Sequence, residues 1–213
     1  MIAKSYDLLM ADVDYEKLLN SIEPYLKKED FILDAGCGSG YLLVEFMSKG
    51  YHAIGVDLDS RMLSLAYDKL IALNFNPALY EHDLRLPFHV KVDVIVMMFD
   101  VLNYFKGIKK VIKEAKMALK PGGRLIFDVY KVSVLEDYDG YIEAEEEPIS
   151  YVWKINRDKN RLIHQVMMDE ESEKVIQYVH PLTYYQDVLD SYGFKYEIKE
   201  GIDPRKYYII AYV

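Results

Sequence analysis

An acidic residue and three closely spaced glycines stand at the end of the first strongly apolar run of the chain. The stretch reads "ILDAGCGSG", with Asp34 directly before a G-x-G-x-G pattern at 36–40. Asp57 ends the next apolar run, about 20 residues after the first glycine, and Asp83 follows a third run. The carboxyl ends of parallel strands meet at one edge of a sheet, so these groups are expected to form one ligand site.

The three acids indicate which ligand the glycine turn would hold. A dinucleotide pyrophosphate needs backbone N–H groups without a carboxylate beside them, and its fingerprint is G-x-G-x-x-G. Asp34 instead favours a positively charged amino group, Asp57 accepts from ribose hydroxyls, and Asp83 accepts from an adenine amine. S-adenosylmethionine has this combination and carries no phosphate. The alternatives are a tight structural turn for the glycines, a helix cap for Asp57 and an ordinary turn residue for Asp83.

Composition narrows the functional classes. The chain has 213 residues and a net charge of −9, which argues against tight nucleic-acid binding because phosphate contacts need clustered Lys and Arg. Its one cysteine, Cys37, leaves no intramolecular disulfide and no zinc site built on several thiolates. His164 and His180 have no Cys or carboxylate at metal spacing, so no metal is predicted. The N-terminal stretch lacks the pattern of a signal peptide, and a cytoplasmic location is expected.

The order of predicted elements indicates an α/β fold. Strands at 31–33, 52–56, 78–81, 92–100 and 124–130 alternate with helices at 41–48, 61–74 and 109–119, the turn "KPGG" (120–123) preceding the fifth strand. "VDVIVMMFD" is apolar almost throughout, as in a strand buried on both faces. Three short β-rich runs at 149–182 predict an inserted antiparallel meander, with "EAEEEP" and "DEESE" as solvated turns. A helix at 184–192 and a closing hairpin complete the chain.

Four motifs together resemble the class I S-adenosylmethionine-dependent methyltransferases, of the small-molecule type. They are "ILDAGCGSG", "GVDLDS", "HDLRLPF" and "ALKPGGRLIFDVY". The resemblance implies a Rossmann-like seven-stranded sheet with helices on both faces and an antiparallel last strand. We expect a cofactor-binding core at 1–135 and 183–213, in which 1–28 form an N-terminal helical cap. Residues 136–182 form the inserted β-meander, acting as a lid or substrate subdomain.

The resemblance also assigns site residues by matching position. For cofactor binding it implies Tyr6, Tyr15, Asp34, Gly36, Cys37, Gly38, Asp57, Leu58, Met62, Asp83, Leu84 and Phe99. Tyr6 and Tyr15 are equally consistent with ordinary packing of an amphipathic segment, and Met97 and Met98 are interpreted as core.

The methyl acceptor would meet the groups after the fourth and fifth strands. Candidates there are Asp100, Asn103, Tyr104, Asp128 and Tyr130, with His180 entering from the meander. We select Tyr104, Asp128 and His180 as candidate catalytic residues. The predicted function is methyl transfer from S-adenosylmethionine to a small-molecule acceptor. The alternatives are a non-catalytic protein that binds the cofactor or its demethylated product, an RNA or protein methyltransferase, and a nicotinamide oxidoreductase, which the glycine spacing opposes.

Overall fold

The computed structural model describes Asp7, Met10 and residues 13–147, 150–168 and 171–213. Its strands in chain order are β1 (Phe31–Ala35), β2 (His52–Asp57), β3 (Leu79–Glu81), β4 (Val92–Met97), β5 (Leu119–Tyr130), β6 (Tyr141–Glu145), β7 (Tyr151–Asp158), β8 (Arg161–Met168), β9 (Glu171–Tyr178), β10 (Lys195–Glu200) and β11 (Lys206–Tyr212). Seven of them form one sheet in the order β10-β11-β5-β4-β1-β2-β3. β11 runs antiparallel to both β5 and β10, which confirms the predicted fold class.

Helices cover both faces of this sheet. They are α1 (Tyr15–Ile22), α2 (Tyr41–Ser48), α3 (Ser60–Ala72), α4 (Lys109–Ala118), α5 (Val134–Asp137) and α6 (Leu182–Ser191), with 3₁₀ turns at Glu23–Tyr25 and Val101–Tyr104. Alternate residues of β4 belong to two different core clusters, Ile95 and Met97 to one and Val94 and Val96 to the other. The continuous apolar run therefore reflects burial on both faces, as predicted.

The N-terminal cap includes α1, whose whole length is described, and Asp7 before it is also helical. Asp14 begins α1 by accepting a hydrogen bond from the Lys17 N–H (2.7 Å). α1 buries Leu18, Leu19 and Ile22 against the sheet, and the chain then passes through Pro24 into a 3₁₀ turn. Helix is thus observed at Asp7 and over 15–22, whereas 26–28 are not helical; the rest of the predicted helical span, over 1–6, 8, 9, 11 and 12, lies outside the described residues.

The predicted turn at 120–123 lies inside β5. Leu119 is already extended and pairs with Val92, and the pairing changes register between Val92 and Val94. Gly122 takes a left-handed conformation (φ 76°). The glycine-rich stretch is therefore accommodated as an irregularity of the strand, and it does not precede the strand as a separate loop.

The inserted sheet has four antiparallel strands, in the order β6-β7-β8-β9. Three were predicted, and β6 was missed because its acid-rich sequence was interpreted as a solvated turn. That interpretation is wrong for 143–145, which belong to β6 and pair with β7 as part of an edge strand. Acidic side chains on an edge strand discourage pairing with another chain. Glu143 also accepts hydrogen bonds from the phenols of Tyr141 and Tyr151.

The first glycine of the loop is required by packing. Gly36 has φ 84°, and a Cβ at this position would come within 2.8 Å of a Val101 methyl carbon. Gly38 also has a positive φ (53°), but a Cβ there would meet nothing within 4 Å.

We expect Gly36→Ala to lower the free energy of unfolding by about 2–4 kcal/mol, through left-handed strain plus overpacking. Gly38→Ala, the matched control, bears only the strain of about 1–2 kcal/mol. Urea denaturation of both variants measures the difference, and equal losses would contradict the clash.

No helix in the described part of the chain has the length and apolar character needed to cross a lipid bilayer.

Candidate functional site

A cavity open to solvent, with about 350 Å³ of empty space, lies at the carboxyl ends of β1 and β4. It is lined by Tyr15, Asp34, the loop 36–40, Tyr41, Leu42, Met98 and Phe99. Six residues predicted to bind the cofactor meet here: Tyr15, Asp34, Gly36, Cys37, Gly38 and Phe99.

Three further lining residues, Ser39, Tyr41 and Leu42, were not predicted from the sequence. Their position beside the last glycine of the loop was a usable signal. Met98 was expected to be core, but it lines the cavity while only 3% exposed.

Asp34 presents a buried carboxylate to this cavity. The residue is 3% exposed, and its Oδ2 atom has no hydrogen-bond partner among the described residues. Burial, together with the nearby charge of Asp57, raises the pKa of Asp34 to about 7. An unsatisfied buried carboxylate is costly. A bound cationic group would satisfy it.

The glycine loop is fixed to the neighbouring strand and open towards the cavity. The N–H groups of Gly36 and Cys37 both donate to the Val56 carbonyl, at 2.8 and 3.0 Å. Gly38 leaves free space where any other residue would place a Cβ. Burial raises the pKa of the Cys37 thiol, and the charge of Asp34 adds to the effect. Cys37 is therefore a neutral packing residue, because nucleophilic cysteines need a lowered pKa.

Asp57 lies beside the loop at the end of β2. Its Oδ2 accepts from the Gly38 N–H (2.8 Å), and its Oδ1 accepts from the Asp59 N–H (2.9 Å). Each carboxylate oxygen retains capacity for a further donor such as a ribose hydroxyl. The cap of α3 is Asp59, which accepts from the Arg61 N–H. The helix-cap alternative for Asp57 is thus excluded.

The residues predicted for the adenine side do not line the cavity. Asp83 forms an ion pair with Arg85 (2.7 Å), which lowers the pKa of Asp83 to about 2. Leu58 is 62% exposed, Met62 is half-buried and Leu84 is buried. Their part in cofactor binding stays a prediction.

Aromatic rings form the N-terminal wall of the cavity. The Tyr15 ring stacks on Tyr41 (centroids 4.7 Å apart) and meets Phe99 at 5.1 Å. The Lys69 ammonium lies 3.1 Å from the Tyr41 ring centroid, and it forms an ion pair with Asp7 (3.2 Å). Tyr6, the other predicted cap residue, lies outside the described residues.

The candidate catalytic residues are placed differently from one another. Tyr104 ends the 3₁₀ turn after β4 and is 52% exposed. His180 is half-buried and stacks on Tyr184 (4.1 Å), and burial lowers the pKa of its imidazole. It is therefore neutral near pH 7 and able to accept a proton. Neither residue lines the cavity, and their catalytic parts stay predictions.

Asp128 requires a correction. It was expected to line an acceptor pocket, but it is 2% exposed and lies within a buried cluster of charges. Its carboxylate accepts from the Asp100 N–H (2.6 Å) and from the Lys206 ammonium (3.0 Å). The Lys206 ammonium also donates to the Asp100 carboxylate. Burial raises the pKa of Asp128, and the two carboxylates raise that of Lys206 against the effect of its own burial. Sequence analysis did not identify Lys206, because the residues around it form no motif that indicates a functional site.

Among the described residues, no three His, Cys, Asp or Glu side chains come together in a way that could hold a metal ion.

Comparison with known proteins agrees with this geometry. Residues 10–197 match the family described as "Methyltransferase domain". YqeM, a predicted methyltransferase of Bacillus subtilis (strain 168), is 31% identical over 211 residues, covering 91% of this chain and 85% of YqeM.

Two solved structures are similar throughout their length. One is an S-adenosylmethionine-dependent methyltransferase of Clostridium acetobutylicum, with TM-score 0.84, 22% identity and coverage of 98% of this chain and 96% of that one. The other is CalS10 of Micromonospora echinaspora, solved with S-adenosylmethionine bound, with TM-score 0.78, 18% identity and coverage of 98% and 95%. The match over residues 10–197, together with the 31% identity to YqeM, shows that this chain belongs to the methyltransferase-domain family.

Proposed function

We propose that this enzyme transfers a methyl group from S-adenosylmethionine to a small-molecule acceptor. The observation that carries the cofactor assignment is the buried, unpartnered carboxylate of Asp34 in a cavity whose floor is a glycine loop. Such a cavity suits a ligand with an ammonium group and no phosphate, because a pyrophosphate would be repelled by the same carboxylate.

The residues present fit this cofactor. Asp34 would hold the amino group, Gly38 gives room for the close approach of the ribose, and Asp57 has the acceptor capacity for the ribose diol. When bound, S-adenosylmethionine supplies a methyl group activated by its positive sulfur. The rings of Tyr15 and Phe99, which contact each other at this end of the cavity, would help to exclude water from the bound cofactor.

The acceptor is proposed to bind between the core (1–135 and 183–213) and the inserted sheet (136–182). In support, the insertion is anchored directly beyond the cavity: the Asn103 side-chain amide donates to the Tyr178 carbonyl (2.7 Å). A small acceptor agrees with the chain's acidity, which disfavours RNA, and with the fold neighbour CalS10, an amino pentose methyltransferase.

In this arrangement the protein mainly aligns the methyl donor and the acceptor atom. A general base is needed only if the acceptor must lose a proton early. Tyr104 and the neutral imidazole of His180 are the proposed groups for that step, since Asp128 is occupied by its ion pair. A cytoplasmic location remains a prediction.

Titration calorimetry tests the cofactor assignment. We expect the wild-type protein to bind S-adenosylmethionine and not NAD. Asp57→Ala should weaken S-adenosylmethionine binding by about 10–100-fold, since it removes hydrogen bonds to a charged acceptor worth about 1.5–3 kcal/mol. Asp68→Ala is the matched control, because Asp68 is an exposed acid on α3. NAD binding by the wild type, or equal affinities of the two variants, would contradict the assignment.

A transfer assay separates catalysis from binding alone. The protein is incubated with methyl-labelled S-adenosylmethionine and a metabolite extract, then in parallel with RNA and with cell protein. Label in a small-molecule product, identified by mass, supports the proposal. Label confined to RNA or protein would favour those acceptor classes, and binding without transfer to any fraction would favour a non-catalytic role.

A further inference from the structure

The wall of the cofactor cavity is formed by a strained turn that follows β4. Phe99 (φ 64°) and Asp100 (φ 54°) are consecutive non-glycine residues in the left-handed region. Each costs about 1–2 kcal/mol, and such a turn persists only when its surroundings hold it. Phe99 lines the cavity. Whatever fixes the Asp100 side chain therefore also fixes the backbone that carries the Phe99 ring at the cavity.

Asp100 is held from three directions by groups that do not line the cavity. Its N–H donates to Asp128 (2.6 Å), and one carboxylate oxygen accepts from Lys206. Its other carboxylate oxygen accepts from the side-chain amide of Gln177 on β9. The first two partners belong to the seven-stranded sheet, whereas Gln177 belongs to the inserted sheet. Gln177 is thus a direct link between the inserted sheet and the turn.

The Gln177 side chain is oriented for this contact. It is 4% exposed, and its Nε2 atom faces Asp100 while its Oε1 atom has no hydrogen-bond partner among the described residues. His164 lies on the adjacent strand, diagonally across from Gln177. Trp153 donates to His164 Nδ1 (3.2 Å), which places the imidazole proton on Nε2. Burial lowers the pKa of His164, and the charge of Asp100 and the contact with Gln177 oppose this effect only in part.

We propose that Gln177 is a positioning residue for methyl transfer: it ties the inserted sheet to the Phe99–Asp100 turn and so sets the wall of the cofactor cavity. This rests on the proposed function, because the cavity is taken to hold S-adenosylmethionine. The link gives the acceptor side of the enzyme a physical connection to the donor side.

The test measures S-adenosylmethionine affinity by calorimetry, as a ratio to wild type at each pH. Gln177→Leu removes the donor to Asp100, and we expect binding about 10-fold weaker, because ligand binding must then order the turn that Gln177 holds in place in the wild type. Gln165→Leu is the matched control, because Gln165 is an exposed glutamine on β8. Its affinity should equal that of wild type.

A second variant is expected to change S-adenosylmethionine affinity in a pH-dependent way, which a general loss of stability would not produce. Gln177→Glu introduces a carboxyl that donates to Asp100 when protonated and repels it when ionised. The other titratable groups that face Asp100 are Asp128, Lys206, His164, Tyr130 and Tyr138. We expect binding at least 10-fold weaker than wild type at pH 8 and recovery to within about 3-fold at pH 5.5, while the ratio for Gln177→Leu stays constant.

The outcomes are distinguishable from those of the proposed function. If the wild type fails to bind S-adenosylmethionine, the proposed function fails and this inference fails with it. If the wild type binds and Gln177→Leu binds equally well, the inference alone is overturned. It is also overturned if the Gln177→Glu ratio does not change with pH.

Discussion

Replacing Asp34 with asparagine is expected to weaken S-adenosylmethionine binding by about 100-fold or more while leaving the unliganded protein at least as stable as wild type. Removing one partner of a buried, hydrogen-bonded charge pair costs about 2–5 kcal/mol of affinity, and about 2.7 kcal/mol already corresponds to about 100-fold. Asp34 is suited to such a pair because its carboxylate is buried and unpartnered.

The stability gain follows from the same raised pKa. The pKa of Asp34 is about 7 in the folded protein and about 3.9 in an unfolded chain. Because the folded value is the higher one, the acid opposes folding increasingly as pH rises from about 4 to about 7. An asparagine side chain carries no such charge, so Asp34→Asn should gain stability relative to wild type at pH 8 and little at pH 4.

Calorimetric titrations across pH 6 to 8 and urea denaturation at pH 4 and 8 measure both effects. Wild-type affinity should rise with pH through about 7 as Asp34 ionises, whereas Asp34→Asn should lose this rise. Asp68→Asn, which removes an exposed acid from α3, controls for the change in net charge. Undiminished affinity of Asp34→Asn would refute an ammonium-binding role for Asp34.

Replacing Lys206 with methionine should produce the largest loss of stability. Lys206 is 7% exposed and lies between the carboxylates of Asp100 and Asp128. Without the ammonium, two buried acids face each other with no counter-charge. Breaking a buried ion pair by removing one partner costs about 3–5 kcal/mol, a large part of the roughly 5–15 kcal/mol typical of a folded domain.

The loss should depend on pH with a definite sign. The pKa of Asp128 is already raised by burial, and losing the Lys206 ammonium raises it further above the unfolded value of about 3.9. The loss of stability therefore grows with rising pH and shrinks towards pH 4.

Urea denaturation of Lys206→Met and of the wild type at pH 5 and pH 8 measures this pH-dependent loss. Lys131→Met is the control, since Lys131 pairs with the largely exposed Glu200 and such pairs contribute about 0–1 kcal/mol. Comparable losses in the two variants would be incompatible with this account of the cluster.

Local patterns made most of the fold predictable. The glycine spacing after Asp34, the apolar run of β4 and the alternation of strands and helices each depend on neighbouring residues, and together they predicted the sheet edge at which the cavity lies. β6 was not predictable in the same way, because its acidic residues resemble a solvated turn and only pairing with β7 makes them a strand.

The buried cluster of Asp100, Asp128 and Lys206 could not be predicted from local sequence patterns. Asp100 and Lys206 are 106 positions apart in the chain, so no window of sequence relates them. The left-handed turn at Phe99 and Asp100 was equally hidden, because neither residue is a glycine or an asparagine, the usual signs of that conformation. Asp128 was assigned to an acceptor pocket because its distant partner could not be seen.

The position of β11 has a consequence for how the chain is made. Synthesis proceeds from the N-terminus, and β4 and β5 are complete long before β11, which fits between β5 and β10. Until Lys206 emerges from the ribosome, Asp100 and Asp128 lack the ammonium that lies between them in the folded protein. The contacts that hold the Phe99–Asp100 turn, and with it one wall of the cavity, are therefore complete only once β11 has paired with β5.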